Sequence, residues 1–273
     1  MKERLDKLIV ERNILETREK AKAFILGGNI TVDGQTVTKP SSMIDEGADI
    51  QLRIPNRGYV SRGGVKLEGA LKDFRLDISG AFCLDIGAST GGFTDCLLNH
   101  GAREVVALDV GKNQIDYRLR KDPRVVVIEK FNARFIDGLR LTTVPDVVTV
   151  DVSFISLRLI LPPLKRIIDN ETEVIALIKP QFELEKPSAR FRGVVRDAAI
   201  HIGILKELDT FFFTNGYGVW GYTFSRIRGP RGNMEFFVHL RKTTVLTLDK
   251  RRDTIEVVVT QAHRYFSGNT FLS

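Results

Sequence analysis

Cysteine is nearly absent from this chain of 273 residues, and no apolar run comes near the length of a membrane span. Its two cysteines, Cys83 and Cys96, lie within an apolar run and at the start of the segment after it. That placement suits buried free thiols in a reducing compartment rather than a disulfide framework, and it offers no metal site. A span would need ~18 consecutive apolar residues. The first twenty residues, MKERLDKLIVERNILETREK, are charged where a secretory leader needs an apolar stretch. A cytoplasmic protein with no membrane contact is therefore expected.

What the chain does have is an ordinary globular composition, 43% hydrophobic and 27% charged, with a formal charge of +7. This allows one α/β core of about 150 to 200 residues and a small satellite domain. The excess of basic residues makes a polyanion the natural partner once the charge has a location. Three segments supply it: Arg57, Arg62, Lys66, Lys72 and Arg75; then Lys186, Arg190, Arg192 and Arg196; then Arg226, Arg228 and Arg231 in SRIRGPRGN. Basic loops interleaved with glycine are placed to meet phosphates, so Arg62, Arg228 and Arg231 are candidate nucleic-acid contacts.

Residues 1–56 read as a separate module. Leu5, Leu8, Ile9 and Ile14 have roughly helical spacing, and a second helix starts near Thr17 and ends at Gly27 and Gly28. Short strands follow in NITVDGQTVTKP, turned at Asp33-Gly34, and in DIQL. Residues 57–65, rich in glycine and arginine, read as a linker, 66–245 as the main α/β domain, and 246–273 as a C-terminal extension.

From residue 66 onward strands alternate with helices: AFCLDIG, EVVALDVG, RVVVIEK, VPDVVTVDVSF, EVIALIKP, GVWGYTFSRI and MEFFVHLRK. Such β-branched runs suit a parallel sheet buried on both faces, giving a doubly wound, Rossmann-like fold with ligands at the carboxyl ends of the strands. In LDIGASTGGFTDCLL a strand ends near Asp85, and Gly87, Gly91 and Gly92 allow a tight turn around Ser89. The helix beginning near Phe93 would then offer free N–H groups to a ligand. The spacing is G-x-x-x-G-G, not the G-x-G-x-x-G of a dinucleotide site, which weighs against hydride transfer. Asp109 ends the next strand where an acid commonly accepts from ribose hydroxyls, and Asn132, after the third, stands where an adenine edge would lie. Ser153, Phe154 and Ser156, next to Asp151, are candidates to line a nucleotide pocket with Phe154 stacking on a base, but an aromatic after a core strand is more often packing, and Phe154 and Phe182 are read so.

Two resemblances add to this reading. The run RLDKLIVERNILETREKAKAFILGGNITVDGQTV resembles the αL-motif RNA-binding domain of small-subunit ribosomal protein S-four, which implies that Arg4, Arg18, Lys20 and Lys22 face structured RNA. The series SRGGVKL, LDIGASTGGFTD, VDVSFISL, LIKPQFE and GNMEFFVHL resembles the TlyA-type hemolysin and ribosomal RNA 2′-O-methyltransferase family, whose catalytic domain is related to the FtsJ group. The resemblance implies S-adenosylmethionine as cofactor, ribosomal RNA or ribosomal subunits as partner, and methylation of a cytidine ribose. It also implies that Lys66, Asp151, Lys179 and Glu235 form a catalytic tetrad. The family's hemolysin label raises a membrane-active protein as one rival, and an RNA-binding protein without turnover is another. Oligomeric state leaves no mark in the sequence.

The chemistry suits those four residue types. A ribose hydroxyl is seldom ionised at neutral pH, whereas a sulfonium methyl is already activated, so the enzyme's task is the nucleophile. A lysine serves as base only when its pKa falls from ~10.4, which burial or a second cation favours and a carboxylate opposes. Lys179 is assigned as base, Asp151 as its orienting partner, and Lys66 with Glu235 as the pair steering the hydroxyl, although residue type alone does not separate the two lysines.

Overall fold

The computed structural model describes residues 2–12, 14–15, 17–26, 28–52, 58–184, 193–243 and 252–268. Two compact units divide the chain, Met1–Tyr59 and Val60–Ser273.

In the first unit, β1 (Lys2–Arg4), α1 (Leu5–Glu11) and α2 (Arg18–Leu26) precede β2 (Ile30–Val32), β3 (Gln35–Thr36), β4 (Met43–Asp45) and β5 (Ile50–Leu52). Leu5, Leu8 and Ile9 of α1 meet Ala21 and Ile25 of α2 over Ile30, Val32 and Ile50 of the strands. Ile14 lies beyond the helix and packs at the edge of this core. The β2–β3 turn holds Asp33 at φ 50° and Gly34 at φ 78°, the left-handed pair that a two-residue hairpin requires. Instead of one sheet there are two, β1 with β4 and β3–β2–β5.

The second unit begins with α3 (Arg62–Phe74) and continues through β6 (Phe82–Ile86), α4 (Gly92–Asn99), β7 (Glu104–Leu108), α5 (Tyr117–Lys121) and β8 (Val125–Ile128). After a 3-10 turn at Ala133–Gly138 come β9 (Val147–Val150), α6 (Leu161–Leu164), β10 (Glu173–Ile178), α7 (Pro180–Glu183), α8 (Ala198–Thr214), β11 (Tyr217–Phe224), β12 (Phe236–Lys242) and α9 (Arg252–Phe266). The seven strands form one sheet in the order β11-β12-β10-β9-β6-β7-β8. β10, β9, β6, β7 and β8 run parallel, whereas β12 is antiparallel to both β10 and β11. The sheet is thus mixed at one edge, where a wholly parallel one was expected, because the loop 225–235 joins β11 to β12 and no crossover helix intervenes.

Alternate strand residues serve opposite faces. Phe82, Leu84, Ile86, Val148, Val150, Ala176, Ile178 and Phe236 join the core made with α6, α8 and α9. Phe237 points the other way and stacks on Phe93 of α4 at 6.1 Å. Ile255, Val258, Val259 and Ala262 of α9 belong to the main core, so the stretch read as a C-terminal extension helps to close the domain.

Residues 62–65, read as linker, form instead the first turn of α3, capped by Ser61, whose side chain accepts the Gly63 N–H at 3.3 Å. The glycines are there for contact. A Cβ on Gly92 would lie 2.1 Å from Ser61 Oγ and 3.0 Å from Gly64 N, so the starts of α3 and α4 touch through backbone. Gly92→Ala is expected to lower unfolding stability by about 1–3 kcal/mol through overpacking. A fall in the urea midpoint at unchanged slope would report it, and an unchanged midpoint would refute the close-contact argument.

Candidate active site

The carboxyl ends of β6, β9 and β10 and the start of β12 lie along one rim of the sheet, and four ionisable side chains meet there. Ile86 pairs with Val150, so Gly87 and Asp151 stand one step beyond that pair. Ile178 pairs with Phe236, so Lys179 and Glu235 stand one step beyond on adjacent strands. Lys179 Nζ is 2.5 Å from Asp151 Oδ1 and donates to Ser153 Oγ at 2.8 Å. The approach to Oδ1 is an ion pair set off the angle of a good hydrogen bond. Lys66 reaches in from α3 and donates to Glu235 Oε2 at 2.5 Å. Their side chains are 9% and 1% exposed, so this pair has little solvent to screen it.

The glycine turn supports this rim from below. A Cβ on Gly87 (φ 86°) would come within 2.6 Å of the Asp151 carbonyl oxygen, and one on Gly91 (φ 94°) within 2.3 Å of Leu119 Cδ1. Both therefore serve contacts inside the chain as well as the turn. Ser89, at φ 50°, is exposed, and its N–H donates to Asp109 Oδ2 at 2.8 Å. Asp109 Oδ1 accepts the Gly111 N–H at 2.6 Å, leaving lone pairs on both oxygens at a residue 9% exposed. Val110 beside it is 71% exposed and Phe135, past the end of β8, 66%. These two exposed apolar side chains give no signal in a strand pattern and were missed in the sequence. Val60 N–H, just before α3, donates to Asp95 Oδ2 in the first turn of α4 at 2.7 Å.

Two expected cofactor contacts are internal instead. Phe93 is 3% exposed against Phe237, because the first turn of α4 faces the sheet. Asp85 is fully buried and accepts from the hydroxyls of Thr94 at 2.7 Å and Thr149 at 2.8 Å. It braces the turn from inside. Asn132 is partly exposed, but its Oδ1 caps the following 3-10 turn by accepting the Arg134 N–H at 3.1 Å, leaving the amide N–H₂ as its outward group.

Of the two sequence readings of Phe154, packing and an outward ring able to stack, the structure has the outward one. It is 83% exposed at φ 63°, a left-handed conformation strained for an aromatic residue, and its ring leans on Phe182 at 4.9 Å. Glu183, not singled out in the sequence, fixes this loop: it accepts from Ser156 Oγ at 2.5 Å and from Leu157 N–H at 2.8 Å. Asn233, likewise missed, is 2% exposed and ties residues 193–195 to the strand bearing Glu235 through Val195 N–H and the Gly193 carbonyl. An amide two residues before an acid at a strand start was the available clue.

Basic residues divide into braced and open. In the first unit Arg4 grips buried Asp6 with two bonds, at 2.9 and 3.1 Å, and Arg18 adds a third at 2.9 Å. The Arg4 bond, burial opposing, holds the Asp6 carboxyl down at about 2. Both arginines stay nearly half exposed, and Lys22 is exposed. Arg231 is exposed, whereas Arg228 turns inward to the Gly232 and Phe266 carbonyls and Arg62 donates to the Arg228 carbonyl. Arg226 pairs with Asp73 over the Phe224 ring. The Lys20 side chain and residues Arg57, Lys186, Arg190 and Arg192 lie outside the described residues.

Burial pushes Asp85 up to about 6, its threonine bonds opposing and the Asp151 charge assisting. A carboxyl raised above its unfolded value of ~3.9 weakens the fold at neutral pH, and that loss is recovered as pH falls through about 6 toward 4. Buried Glu183 is raised too and acts with the same sign. The stability of Asp85→Asn relative to the parent should therefore fall as pH drops through that window. Denaturant melts at several pH values measure it, and a pH-independent difference would contradict the buried-acid assignment.

The model of the family described as FtsJ-like methyltransferase matches residues 59–242, and that of the S4 domain matches residues 3–50. TlyA of Mycobacterium tuberculosis, a 16S/23S rRNA (cytidine-2′-O)-methyltransferase, is 38% identical over 242 residues, covering 88% of this chain and 90% of its own. Hemolysin A of Brachyspira hyodysenteriae is 42% identical over 237 residues, covering 86% of this chain and 98% of its own. A solved structure from Streptococcus thermophilus, provisionally described as a hemolysin, superposes with a TM-score of 0.79 at 42% identity and covers 98% of both chains. Matched over two thirds of its length and similar to full-length relatives, the chain belongs to the FtsJ-like methyltransferase family and carries an S4 domain at its start.

Proposed function

We propose that this protein transfers a methyl group from S-adenosylmethionine to the 2′-hydroxyl of a cytidine in ribosomal RNA, with Lys66, Asp151, Lys179 and Glu235 as the catalytic residues. The observation that carries the reading is the pair of lysine–carboxylate contacts on one rim of the sheet, Lys66–Glu235 and Lys179–Asp151, each at 2.5 Å. Buried ion pairs are weak sources of stability because desolvation offsets much of their attraction, so two of them beside a ligand turn favour a chemical role. The S4 match and the rRNA methyltransferase name of the Mycobacterium tuberculosis relative support an RNA substrate.

The residues present suit an adenosyl group. Asp109 keeps acceptor capacity for the ribose hydroxyls, Val110 and Phe135 offer apolar surface for adenine, and Ser89, Gly87 and Gly91 border the sulfonium end. When bound, S-adenosylmethionine supplies an electrophilic methyl. Lys179, once it has given up to solvent the proton it carries in its ion pair with Asp151, takes the hydroxyl proton as the oxygen attacks, and Asp151 and Ser153 hold the resulting ammonium. The positive charge lost from sulfur thus reappears on Lys179. Lys66, fixed by Glu235, orients the hydroxyl and stabilises the developing negative oxygen. Phe154, presented outward over Phe182, stacks the target base, and Arg4, Arg18, Lys22 and Arg231 meet phosphates.

Hemolysin names among the relatives do not suggest a different chemistry for these residues. Among the described residues no helix is long and apolar enough to cross a membrane. With ribosomal RNA as substrate, the cytoplasm is the place of action.

Tritiated methyl transfer to ribosomal subunits and to naked ribosomal RNA, with calorimetry for the cofactor, tests the reading. Lys179→Ala and Lys179→Met should each lower the transfer rate by about 10²–10⁴-fold and leave cofactor affinity unchanged. Transfer surviving both overturns the base assignment, and cofactor binding without transfer by the parent protein overturns the enzyme reading.

A further inference from the structure

Arg228 was expected to meet RNA, but its surroundings give it a different task. Its Nη1 donates to the Gly232 carbonyl at 3.1 Å and its Nη2 to the Phe266 carbonyl, at the C-terminal end of α9, at 3.3 Å. The guanidinium also lies over the Phe266 ring, 4.7 Å from its centroid. The Arg228 carbonyl in turn accepts from Arg62 Nη2 at 2.8 Å. Arg62 precedes Lys66 by one turn of α3, on the same helix face.

These contacts close into a ring. From Arg62 the path runs along α3 to Lys66, across to Glu235, and back through the loop to Arg228. Three backbone bonds stiffen the loop: Gly229 N–H to the Asn233 carbonyl at 2.9 Å, Gly232 N–H to the Gly229 carbonyl at 2.8 Å, and Ser225 N–H to the Glu235 carbonyl at 2.9 Å. Gly229 lies against the acid itself, since a Cβ there would stand 2.4 Å from Glu235 Oε1. A shift of the Arg228 main chain would therefore move the wall against which the Glu235 carboxylate rests. Among the described residues, the hydrogen bond and ring contact that hold the side chain of Arg228 from outside the loop come from Phe266 of α9, and α9 lies beyond the residues matched by the methyltransferase family model.

We infer that Arg228 is a positioning residue, a bracket by which the C-terminal helix α9 sets the geometry of the Lys66–Glu235 pair. The inference rests on the catalytic reading above for its effect on rate, though not for its effect on the pair. A planar fork stacked on a ring and bonded to two carbonyls is not replaced by lysine, whose ammonium is a single point of charge on a flexible stem.

The test uses the full chain with ribosomal subunits as substrate and the variants Arg228→Lys, Arg228→Met, Phe266→Ala and Arg231→Met, each checked for an unchanged thermal melt. In Arg228→Lys and Arg228→Met, kcat should fall by about tenfold or more while KM for RNA and its salt dependence stay as in the parent. Phe266→Ala should lose less, and the Arg228→Met/Phe266→Ala double variant should be no worse than Arg228→Met, because the two side chains act through one contact. Isotope-edited NMR of the Lys66 side chain should show a displaced signal in Arg228→Lys and an unmoved one in Arg231→Met. A raised KM with a weaker salt dependence and intact kcat would return Arg228 to the RNA contacts and overturn the inference, as would an unmoved Lys66 signal in both Arg228 variants. Should the parent protein transfer no methyl to ribose, the functional reading fails, and the Lys66 signal still decides the bracket.

Discussion

Two amines held against two carboxylates at the edge of a sheet are the constraint around which the rest of this domain is arranged. Taking such charges out of water costs several kcal/mol per ion, and mutual attraction returns that only with good geometry and additional partners. Lys179 has Ser153 as well as Asp151, and Glu235 has the packed loop behind it as well as Lys66. A chain selected for stability alone would fill these positions with apolar side chains. Their presence at strand ends, where a doubly wound sheet opens to ligands, is what the proposed chemistry accounts for.

Close backbone approach is the means by which the four are brought together. Gly87 lets the turn after β6 run against the main chain of Asp151, Gly92 lets α4 begin against α3, which carries Lys66, and Gly229 lets its loop rest on Glu235. Each contact excludes a Cβ. The glycines that first suggest a phosphate- or nucleoside-binding turn thus have a second function, to let the chain cross itself within van der Waals distance at the rim. The same economy applies to acids: Asp85 holds the turn from below through Thr94 and Thr149, while Asp109 holds it from the side through Ser89.

Much of the fold was legible because strands buried on both faces announce themselves as unbroken apolar runs, and each of the seven runs from AFCLDIG to MEFFVHLRK became a strand of the large sheet. Strand direction was not, since a run of apolar residues reads the same parallel or antiparallel. Glycine misled at residues 62–65, where Gly63 and Gly64 meant helix contact rather than flexibility. Lys66, Asp151, Lys179 and Glu235 were singled out by the family resemblance, and their separation along the chain could not itself say that they meet, which the structure has them do in two pairs. Phe93 and Asp85 were misplaced because a strand end and a helix start carry both inward and outward positions, and sequence gives no phase there. Arg228 was misread because a guanidinium serves a phosphate and a peptide carbonyl with the same donors.

The loop after Asp151 and the turn after Lys179 are joined like rungs of a ladder, and that arrangement explains an otherwise costly residue. Lys179 meets Asp151 and Ser153, Phe182 meets Phe154, and Glu183 meets Ser156 and Leu157. Left-handed backbone at a phenylalanine persists only where the surroundings fix it. Here the fixed points lie on both sides of Phe154, since Lys179 holds Asp151 and Ser153 before it and buried Glu183 holds Ser156 and Leu157 after it, so the strain is borne by contacts that also hold Lys179. An aromatic ring held outward with 83% of its surface exposed gains nothing for folding. In the proposed reaction it gains a nucleobase, and the same rungs that stack that base set Asp151 and Lys179 at the distance needed for the proton to leave the ribose.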